Sequence, residues 1–423
     1  MRRSIRLAVM AFCWATSGFA HGPHKPAPPA ASAAPSAAAI PLPVGWSDSR
    51  PPAAAGAMAP FLVSDDDGFL ATWIEPAAAG SSGIAPVSAT GSAGPRRVRI
   101  ARWRGGYWTF PATVRESAAL VANWADVPGA VRAADRTLYV WWLESSGSGG
   151  DSYDIHLARS IDQGITFVRV GVLHEDRSSS EHGFVSAVPE GTGVRFYYLD
   201  GRATAAGAPT QLRTVFVEGD RIGPSELVDE SVCDCCPTSA VAVAGASAVA
   251  YRDRTAEEIR DVRIARRGVA GALTFQTAGQ DGWKIAGCPV NGPALAANAT
   301  QLAVAWFAAP GDRPRMSFAR SADGGATWGA PQRLAALKPM GQLALAALGP
   351  GFAVAWLEGI EGGSELHLAR IAADGIPQAS QAIARTGTGR SAGIPRLAST
   401  GESLALLWVD PASGKLQFAL TLP

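Results

Sequence analysis

Short apolar runs that end in an aromatic residue recur along the chain after residue 45. In most of these runs an acidic residue follows the aromatic one by two positions. The runs are LATWIE, YVWWLE, FYYLD, AVAYRD, AVAWFA, AVAWLE and ALLWVD, and their aromatic residues are Trp73, Trp142, Tyr198, Tyr251, Trp306, Trp356 and Trp408. Successive aromatic residues are 50 to 69 positions apart. A repeat with a period of this length indicates an array of similar structural units.

Each unit also contains an apolar stretch before the aromatic strand and a third strand after it, such as DIHLARS or MSFARS. Four short strands in about 50 residues, without helical periodicity, are typical of one propeller blade. The pattern therefore predicts an all-β fold, a single β-propeller with seven blades, and leaves a count of six open. The last unit stops after its third strand, so we expect the segment at residues 42–46 to supply the missing strand and close the ring.

The composition fits a globular protein and excludes several kinds of partner. Of the 423 residues, 47% are hydrophobic and 17% are charged, and the formal net charge is +1. This is enough apolar material for a large core, and no basic surface for nucleic acid is indicated. No later apolar run approaches the length of about 18 residues that a membrane-spanning helix needs. We expect a monomer without a membrane span.

The first 45 residues differ in composition from the rest of the chain. Residues 1–20 combine three arginines, a short apolar stretch and the small-residue ending GFA, which is the pattern of a secretory signal peptide. Residues 21–45 are rich in Pro, Ala and Ser and predict a disordered linker. Residues 46–423 then form the predicted propeller domain. A signal peptide implies a periplasmic or secreted protein.

Two repeats carry the same motif, S-x-D-x-G-x-T followed by an aromatic residue, at residues 160–167 and 321–328. The spacing suits a tight turn between the third and fourth strands of a blade. In such a turn Asp accepts hydrogen bonds from turn amides and Gly takes a positive φ. The motif resembles the Asp box, also called the BNR repeat, of the sialidase superfamily.

The resemblance covers most of residues 45–423 at the level of blades. The chain is also similar to a group of exported bacterial sialidase-like proteins, through the segments EHGFVS, LDGR, CDCCPTS, YRDR, EEIRD and GWKIAGCPVNGP. This resemblance implies a glycan-active propeller, with exo-glycosidase activity as one form of that function. The early Arg-Ile-Pro motif that sialidases of the superfamily usually carry is missing from the sequence.

Loops alternate between the two ends of a blade because successive strands run in opposite directions. The S-x-D turns mark one face, and the loops after second strands and between blades lie on the opposite face. Most chemically unusual residues belong to that opposite face. The candidates for catalytic acid, base or proton carrier are Asp126, Glu181, His182, Asp200 and Asp253. The candidates for substrate binding are Arg202, Tyr251, Arg252, Arg254, Arg260 and Asn291.

Carboxyl groups and arginines are the residue types that binding and cleavage of an acidic glycoside require. The sequence therefore predicts a glycoside hydrolase or a glycan-recognising protein whose ligand is a carbohydrate or another small anion. Two alternatives stay open at this point. The charged residues of segment 252–261 would equally form ion pairs that hold one long loop. The propeller would also serve as a non-catalytic platform for a ligand or a protein.

Four cysteines remain after the predicted signal peptide, and they are Cys233, Cys235, Cys236 and Cys288. An even number in an oxidising compartment favours disulfides, and Cys288 belongs to the loop that neighbours the other three. The alternative is a thiolate site for copper or zinc, with His182 as a further ligand. That alternative describes an extracytoplasmic metal-binding protein, and apart from it we expect no cofactor.

Overall fold

Seven antiparallel sheets follow one another along the chain and form the blades of a propeller. The structure is a computed structural model, and it describes residues 40–77, 94–147, 152–243, 245–387, 389–401, 403–410 and 412–421. The predicted signal peptide and residues 21–39 of the predicted linker lie outside these ranges. The predicted all-β class is confirmed, and the blade count is seven rather than six.

Blades 1 to 3 contain four or five strands each, with one short additional strand in blades 1 and 3. Blade 1 comprises β2 (Met58–Asp65), β3 (Gly68–Pro76), β4 (Arg96–Arg104), β5 (Tyr107–Trp108) and β6 (Ala112–Ser117). Blade 2 comprises β7 (Gly129–Arg132), β8 (Leu138–Ser145), β9 (Tyr153–Ser160) and β10 (Val168–Val172). Blade 3 comprises β11 (His182–Glu190), β12 (Gly193–Asp200), β13 (Thr210–Glu218), β14 (Arg221–Ile222) and β15 (Glu226–Val232).

Blades 4 to 7 contain four strands each. Blade 4 comprises β16 (Ser239–Val243), β17 (Ala246–Arg252), β18 (Val262–Arg267) and β19 (Leu273–Gly279). Blade 5 comprises β20 (Ala294–Ala297), β21 (Leu302–Ala308), β22 (Arg315–Ser321) and β23 (Gln332–Arg333). Blade 6 comprises β24 (Pro339–Leu348), β25 (Gly351–Ile360), β26 (Gly363–Ile371) and β27 (Gln381–Thr386). Blade 7 comprises β28 (Arg396–Thr400), β29 (Ser403–Asp410), β30 (Lys415–Thr421) and β1 (Trp46–Asp48).

Helical structure in the described chain is limited to short 3₁₀ turns at Thr204–Ala206, Pro310–Asp312 and Gly389–Ala392. Among the described residues there is accordingly no helix with the length and apolar character needed to cross a membrane.

The ring closes between the last blade and the first. The first strand of each blade contacts the first strand of the next, and β28 contacts β2 in the same way. Strand β1 pairs antiparallel with β30, with Trp46 opposite Thr421 and Asp48 opposite Ala419. The N-terminal strand therefore completes the last blade, as the sequence predicted. It covers a strand edge that would otherwise present unpaired N–H and C=O groups.

The second strand of each blade is enclosed between neighbouring sheets. In β8, for example, every residue from Leu138 to Glu144 is buried. Burial of both faces of a strand explains why the second strands read as continuous apolar runs rather than as an alternating pattern. These runs are the part of the repeat that is most visible in the sequence.

The aromatic residue and the acid of the repeat form a hydrogen bond with each other within the second strand of three blades. The indole N–H of Trp73 donates to Glu75 Oε2 at 2.7 Å, and the backbone N–H of Ala54 in the chain entering blade 1 donates to the same oxygen at 3.0 Å. The pairs Trp142–Glu144 and Trp356–Glu358 have the same indole–carboxylate bond, at 2.9 and 2.8 Å. The buried acid thus holds both its own strand and the incoming chain.

Blade 5 keeps this bond although its repeat, AVAWFA, has no acid after the aromatic residue. The indole N–H of Trp306 donates instead to Asp281 Oδ2 at 2.5 Å, and Asp281 lies in the chain that enters the blade. A buried indole N–H needs an acceptor, so the incoming segment supplies the carboxylate that the strand lacks.

The two S-x-D-x-G-x-T segments form the turns that the sequence predicts. Asp162 accepts hydrogen bonds from the backbone N–H of Thr166 at 2.9 Å and from its hydroxyl at 2.5 Å, and Gly164 N–H donates to Ser160 Oγ at 2.8 Å. Gly164 has a φ of 89°. Residues 321–328 repeat this set of bonds. Both turns join the third and fourth strands of their blades.

Replacement Glu358→Ala tests the importance of the indole–carboxylate bond. It removes the acceptor of the Trp356 indole and of the backbone N–H groups of Leu337 and Lys338. Because the buried indole N–H of Trp356 would remain without a partner, we expect a loss of about 1 to 3 kcal/mol in the free energy of unfolding, measured by urea denaturation. Asp410→Ala is the matched control, since Asp410 holds the same repeat position but binds an exposed turn. We expect that variant to lose about 0.5 kcal/mol. Equal losses for the two variants would contradict the assignment.

Candidate functional site

The predicted site residues lie on the face opposite the S-x-D turns, as expected. Asp200 ends β12 and Arg252 ends β17, both second strands, while His182 begins β11, a first strand. The structure does not bring all candidates into a single cavity. They belong to separate groups around blades 2 to 5, and each group has its own contact partners.

Blades 3 and 4 differ from the others because their repeats carry a tyrosine in place of the tryptophan. Tyr251 is buried, and its hydroxyl donates to Asp229 Oδ2 at 2.5 Å rather than to the acid two residues further on. Its hydroxyl therefore serves this buried contact. Asp253, the acid of the blade 4 repeat, is left to take part in other interactions.

Asp253 lies at the start of a long loop and is partly exposed. Its side chain is 26% accessible, and its Oδ1 accepts a hydrogen bond from the backbone N–H of Arg254 at 3.0 Å. Burial and the nearby negative charge of Asp229 raise the pKa of Asp253. A carboxyl group with a raised pKa and access to solvent is a candidate proton donor.

A cleft of about 620 Å³ opens between blades 3 and 4 on this face. We name it the blade 3–4 cleft. Its walls combine hydroxyl and charged side chains, namely Thr204, Thr210, Ser231, Asp234, Arg254, Thr255 and Glu258. Among the substrate-binding and catalytic candidates predicted from the sequence, Arg254 is the one that lines this cleft.

The charged residues of segment 252–261 form ion pairs beside the cleft. Arg254 and Arg260 both contact Glu258, each at 2.7 Å, and Arg260 also lies 3.4 Å from Asp234. Hydrogen bonds from Arg254 and Arg260 lower the pKa of Glu258 and so favour its ionised form. The ion pairs that the sequence analysis gave as the alternative for this segment are therefore present. Two of the paired residues, Arg254 and Glu258, also line the open cleft.

Arg252 is only 1% exposed. Its guanidinium donates to the backbone carbonyls of Asn291, Arg260 and Phe307 at 2.6 to 3.0 Å and lies over the ring of Trp283. These contacts join blade 4 to the loop that leads into blade 5. The position expected to bind substrate thus has its guanidinium engaged in holding two blades together.

Asp126 and Asn291 occupy equivalent positions, each three residues before the first strand of its blade. Oδ1 of Asp126 accepts the backbone N–H of Phe184 at 2.8 Å, and Oδ1 of Asn291 accepts that of Gln342 at 2.7 Å. Both acceptors therefore fix a residue with positive φ in the next blade, 52° for Phe184 and for Gln342. Their shared role is to connect adjacent blades.

The carboxyl group of Asp126 differs from the amide of Asn291 in one respect. Its Oδ2 is buried and has no hydrogen-bond partner among the described residues. Burial raises the pKa of Asp126 to about 7, and the charge of the nearby Glu181 acts in the same direction. Glu181 itself is exposed. Asp126 is only 2% exposed, so direct contact with a ligand is restricted.

A second group, which we call the histidine cluster, lies where blade 2 meets blade 3. His182 Nε2 is 3.6 Å from Asp200 Oδ1, and Asp200 accepts hydrogen bonds from Arg202 Nε and Nη2 at 2.9 and 2.7 Å. The structure therefore brings three of the predicted residues together. The cluster comprises Asp154, His174, Asp176, His182 and Asp200.

Three members of this cluster, Asp154, His174 and Asp176, were not expected from the sequence. His174 lies after the fourth strand of blade 2, and Asp154 begins the third strand. The signal available was the HED triplet at residues 174–176, in an inter-blade loop of the candidate face. Its link to His182 becomes visible only when the two blades are placed side by side.

The four cysteines converge into a thiol cluster, in which Cys288 joins the three residues of the CDCC segment. Cys233 Sγ lies 3.1 Å from Cys236 Sγ and 3.9 Å from Cys235 Sγ, and Cys288 hydrogen-bonds with Cys235. All four are free thiols in the described chain, so the disulfides that the sequence favoured are not formed here. A disulfide requires an S–S distance of about 2.05 Å.

Arg260 also contacts the thiol cluster. Its Nη1 donates to Cys233 Sγ at 3.2 Å. Contacts with the sulfur atoms of Cys235 and Cys236, together with the hydrogen bond from Arg260, lower the pKa of Cys233. Burial raises the pKa of Cys236. The pKa of Cys288 is lowered as well, chiefly by its contact with Cys235. A bound cation would favour deprotonation of all four thiols.

Comparison with known proteins identifies the fold. The sequence matches no protein-family model and no curated protein. Similar solved structures include the Hadza microbial sialidase Hz136, with a TM-score of 0.50 and 13% identity over 78% of this chain and 74% of that one. They also include the polysaccharide lyase Uly1, with a TM-score of 0.50 and 10% identity over 88% of this chain and 90% of that one. At these identities the likeness shows a shared propeller fold.

Proposed function

We propose that this protein is an exported, carbohydrate-active propeller that binds an acidic glycan in the blade 3–4 cleft and cleaves it there. Export follows from the predicted signal peptide at residues 1–20. The names of the two similar propellers, a sialidase and a polysaccharide lyase, favour a carbohydrate ligand. The observation that carries the proposal is a polar cleft lined by Arg254 and Glu258, with the partly exposed Asp253 next to Arg254 in the same loop.

The lining of the cleft is suited to an acidic sugar. The hydroxyl groups of Thr204 and Ser231 donate to backbone carbonyls, so their oxygens are left to accept hydrogen bonds from sugar hydroxyl groups. Arg254, whose side chain is 28% accessible, presents a cation to a sugar carboxylate. A guanidinium binds a carboxylate through two parallel hydrogen bonds, which orients the sugar as well as attracting it. The anionic ligand expected from the sequence thus has a defined place.

The carboxyl pair assigns the chemical roles. Asp253, with its raised pKa, is the proton donor to the leaving oxygen. Glu258, with its lowered pKa, is the ionised partner that activates water or stabilises developing positive charge. Pairs of carboxyl groups whose environments separate their pKa values are the basis of acid and base assignment in glycoside cleavage.

Replacement Asp253→Asn tests the proton donor. With chromogenic sialosides and uronides as substrates, we expect kcat to fall by about 100-fold or more, because an amide cannot supply the proton. Asp374→Asn, in an exposed turn on the opposite face, serves as the control and should keep full activity. An unchanged kcat in Asp253→Asn would contradict the assignment.

The pH dependence of kcat provides a second test of the same pair. Asp253 must be protonated, so activity declines as the pH rises through its raised pKa. Glu258 must be ionised, so activity declines as the pH falls through its lowered pKa. We expect the alkaline decline to be absent from the residual activity of Asp253→Asn. If no substrate is turned over but the protein binds a glycan, and Arg254→Gln weakens that binding, the function is recognition without cleavage. If the protein shows no glycan binding and no turnover, the proposal is rejected.

The thiol cluster supports a second candidate function, the binding of a soft metal ion such as Cu(I) or Zn(II). In a tetrahedral site with Zn–S bonds of about 2.3 Å the sulfur atoms are about 3.8 Å apart. The distance of 3.9 Å between Cys233 and Cys235 matches that value, and the distance of 3.1 Å between Cys233 and Cys236 is shorter. Two of the four sulfur donors are buried, and Arg260 offsets part of their negative charge.

Metal analysis of protein isolated without reductant separates the metal site from disulfides. We expect one zinc or copper ion at the thiol cluster, and a decrease of at least about tenfold in the affinity of this cluster for Cys288→Ser, which removes the exposed ligand. Thermal unfolding of that variant without metal should match the unmodified protein. Absence of both bound metal and free thiols would instead support the disulfides that the sequence favours.

A further inference from the structure

The histidine cluster contains two stacked imidazole rings that neither the fold nor the cleft requires. The rings of His174 and His182 have centroids 3.7 Å apart and planes inclined by 10°. Both side chains are fully buried. Buried polar rings at a blade junction cost free energy unless their nitrogen atoms find partners.

His182 has one nitrogen with a partner and one without. Its Nδ1 lies 3.3 Å from the backbone carbonyl of Tyr153. Because a carbonyl oxygen can only accept, Nδ1 carries the hydrogen, which leaves the lone pair of the neutral ring on Nε2. Nε2 is buried and makes no hydrogen bond to any described residue. The geometry therefore presents an unused nitrogen lone pair.

Two carboxylate oxygens face this nitrogen at distances typical of a shared metal ion. Asp176 Oδ2 lies 3.1 Å from Nε2, but the contact lacks hydrogen-bond alignment, and Asp200 Oδ1 lies 3.6 Å away. In a tetrahedral site with bonds of about 2.0 to 2.1 Å the ligand atoms are about 3.3 Å apart. The observed separations lie on either side of this value.

A second layer of hydrogen bonds orients all three groups. Arg202 binds Asp200 through two nitrogens, at 2.9 and 2.7 Å. The hydroxyl of Ser178 donates to Asp176. The Tyr153 carbonyl orients His182. Such outer contacts are a regular feature of metal sites, where they fix the tautomer of histidine and the direction of the carboxylates.

The donor set selects the class of metal. One imidazole nitrogen and two carboxylate oxygens suit a divalent transition ion of the zinc type, whereas Cu(I) prefers sulfur and calcium prefers oxygen alone. The carboxylates of Asp176 and Asp200 together with the guanidinium of Arg202 leave a net negative charge, which a divalent cation offsets. The Asp176 side chain is 16% accessible, so this carboxylate lies on the solvent side of the group and an ion can enter there.

We propose that His182 Nε2, Asp176 and Asp200 bind one divalent transition metal ion of the zinc class. Three protein ligands leave a further coordination position for water or for a ligand, as in sites that do chemistry. The site is separate from the thiol cluster and from the blade 3–4 cleft, so it stands independently of the glycan function proposed above.

The test uses metal-stripped protein titrated with zinc in competition with a chromogenic chelator. Asp176→Asn should weaken binding at this site by at least about tenfold. The matched control is Asp154→Asn, which removes the same charge from the cluster but at the other edge of the ring, where Asp154 Oδ1 lies 4.0 Å from His182 Nδ1. We expect that variant to change the affinity by less than about threefold.

Cobalt separates this site from the thiol cluster. Cobalt at the histidine cluster should give d–d absorption without the sulfur-to-cobalt charge-transfer band that a thiolate site produces. In the unmodified protein zinc should raise the unfolding temperature, and Asp176→Asn should lose this increase while keeping the unfolding temperature of the metal-free protein. Equal zinc affinity in Asp176→Asn and the unmodified protein would overturn the proposal. Equal losses in the two aspartate variants, or cobalt bound only through sulfur, would also overturn it.

Discussion

The hydrogen bond from a buried indole N–H to a carboxylate two residues further on connects each blade that has it to the chain that enters the blade. Trp356 and Glu358 illustrate the arrangement, since Glu358 also accepts the backbone N–H groups of Leu337 and Lys338. A carboxylate inside the ring must be fully paired to be tolerated, and here three donors pair it. In blades 1, 2 and 6 one local interaction that the repeat encodes therefore fixes the second strand.

Replacement of the indole by a phenol changes what the acid can do. In blade 4 the hydroxyl of Tyr251 reaches Asp229, so Asp253 is not bound to the aromatic residue and is partly exposed. In blade 3 the corresponding acid, Asp200, instead pairs with Arg202 and faces His182. In these two blades the aromatic residue of the repeat is a tyrosine, and the repeat acid takes part in other polar contacts. Variation within a structural repeat has thus produced polar sites without altering the fold.

The fold was predictable from the sequence because the period and the missing last strand are local features of the chain. The face carrying the polar residues was predictable as well, since strand direction alternates. The contacts that each polar side chain makes were not predictable, because they depend on how neighbouring blades pack against each other. Arg252, which reads as an anion-binding residue in YRDR, has its donors on backbone carbonyls. The sequence did not predict that His174 stacks on His182, because the two residues belong to different blades.

The thiol cluster and the cleft are physically coupled through Arg260. This guanidinium is 3% exposed, and it donates to Cys233 Sγ at 3.2 Å and to Glu258 Oε2 at 2.7 Å. One cation therefore serves a thiolate and a cleft carboxylate at once. A metal ion bound to the sulfur atoms would replace Arg260 as the positive charge next to Cys233. A disulfide would remove the negative charge of the Cys233 thiolate. In either case the guanidinium would be left to Glu258 and Asp234, so the electrostatics of the cleft follow the chemical state of the cysteines.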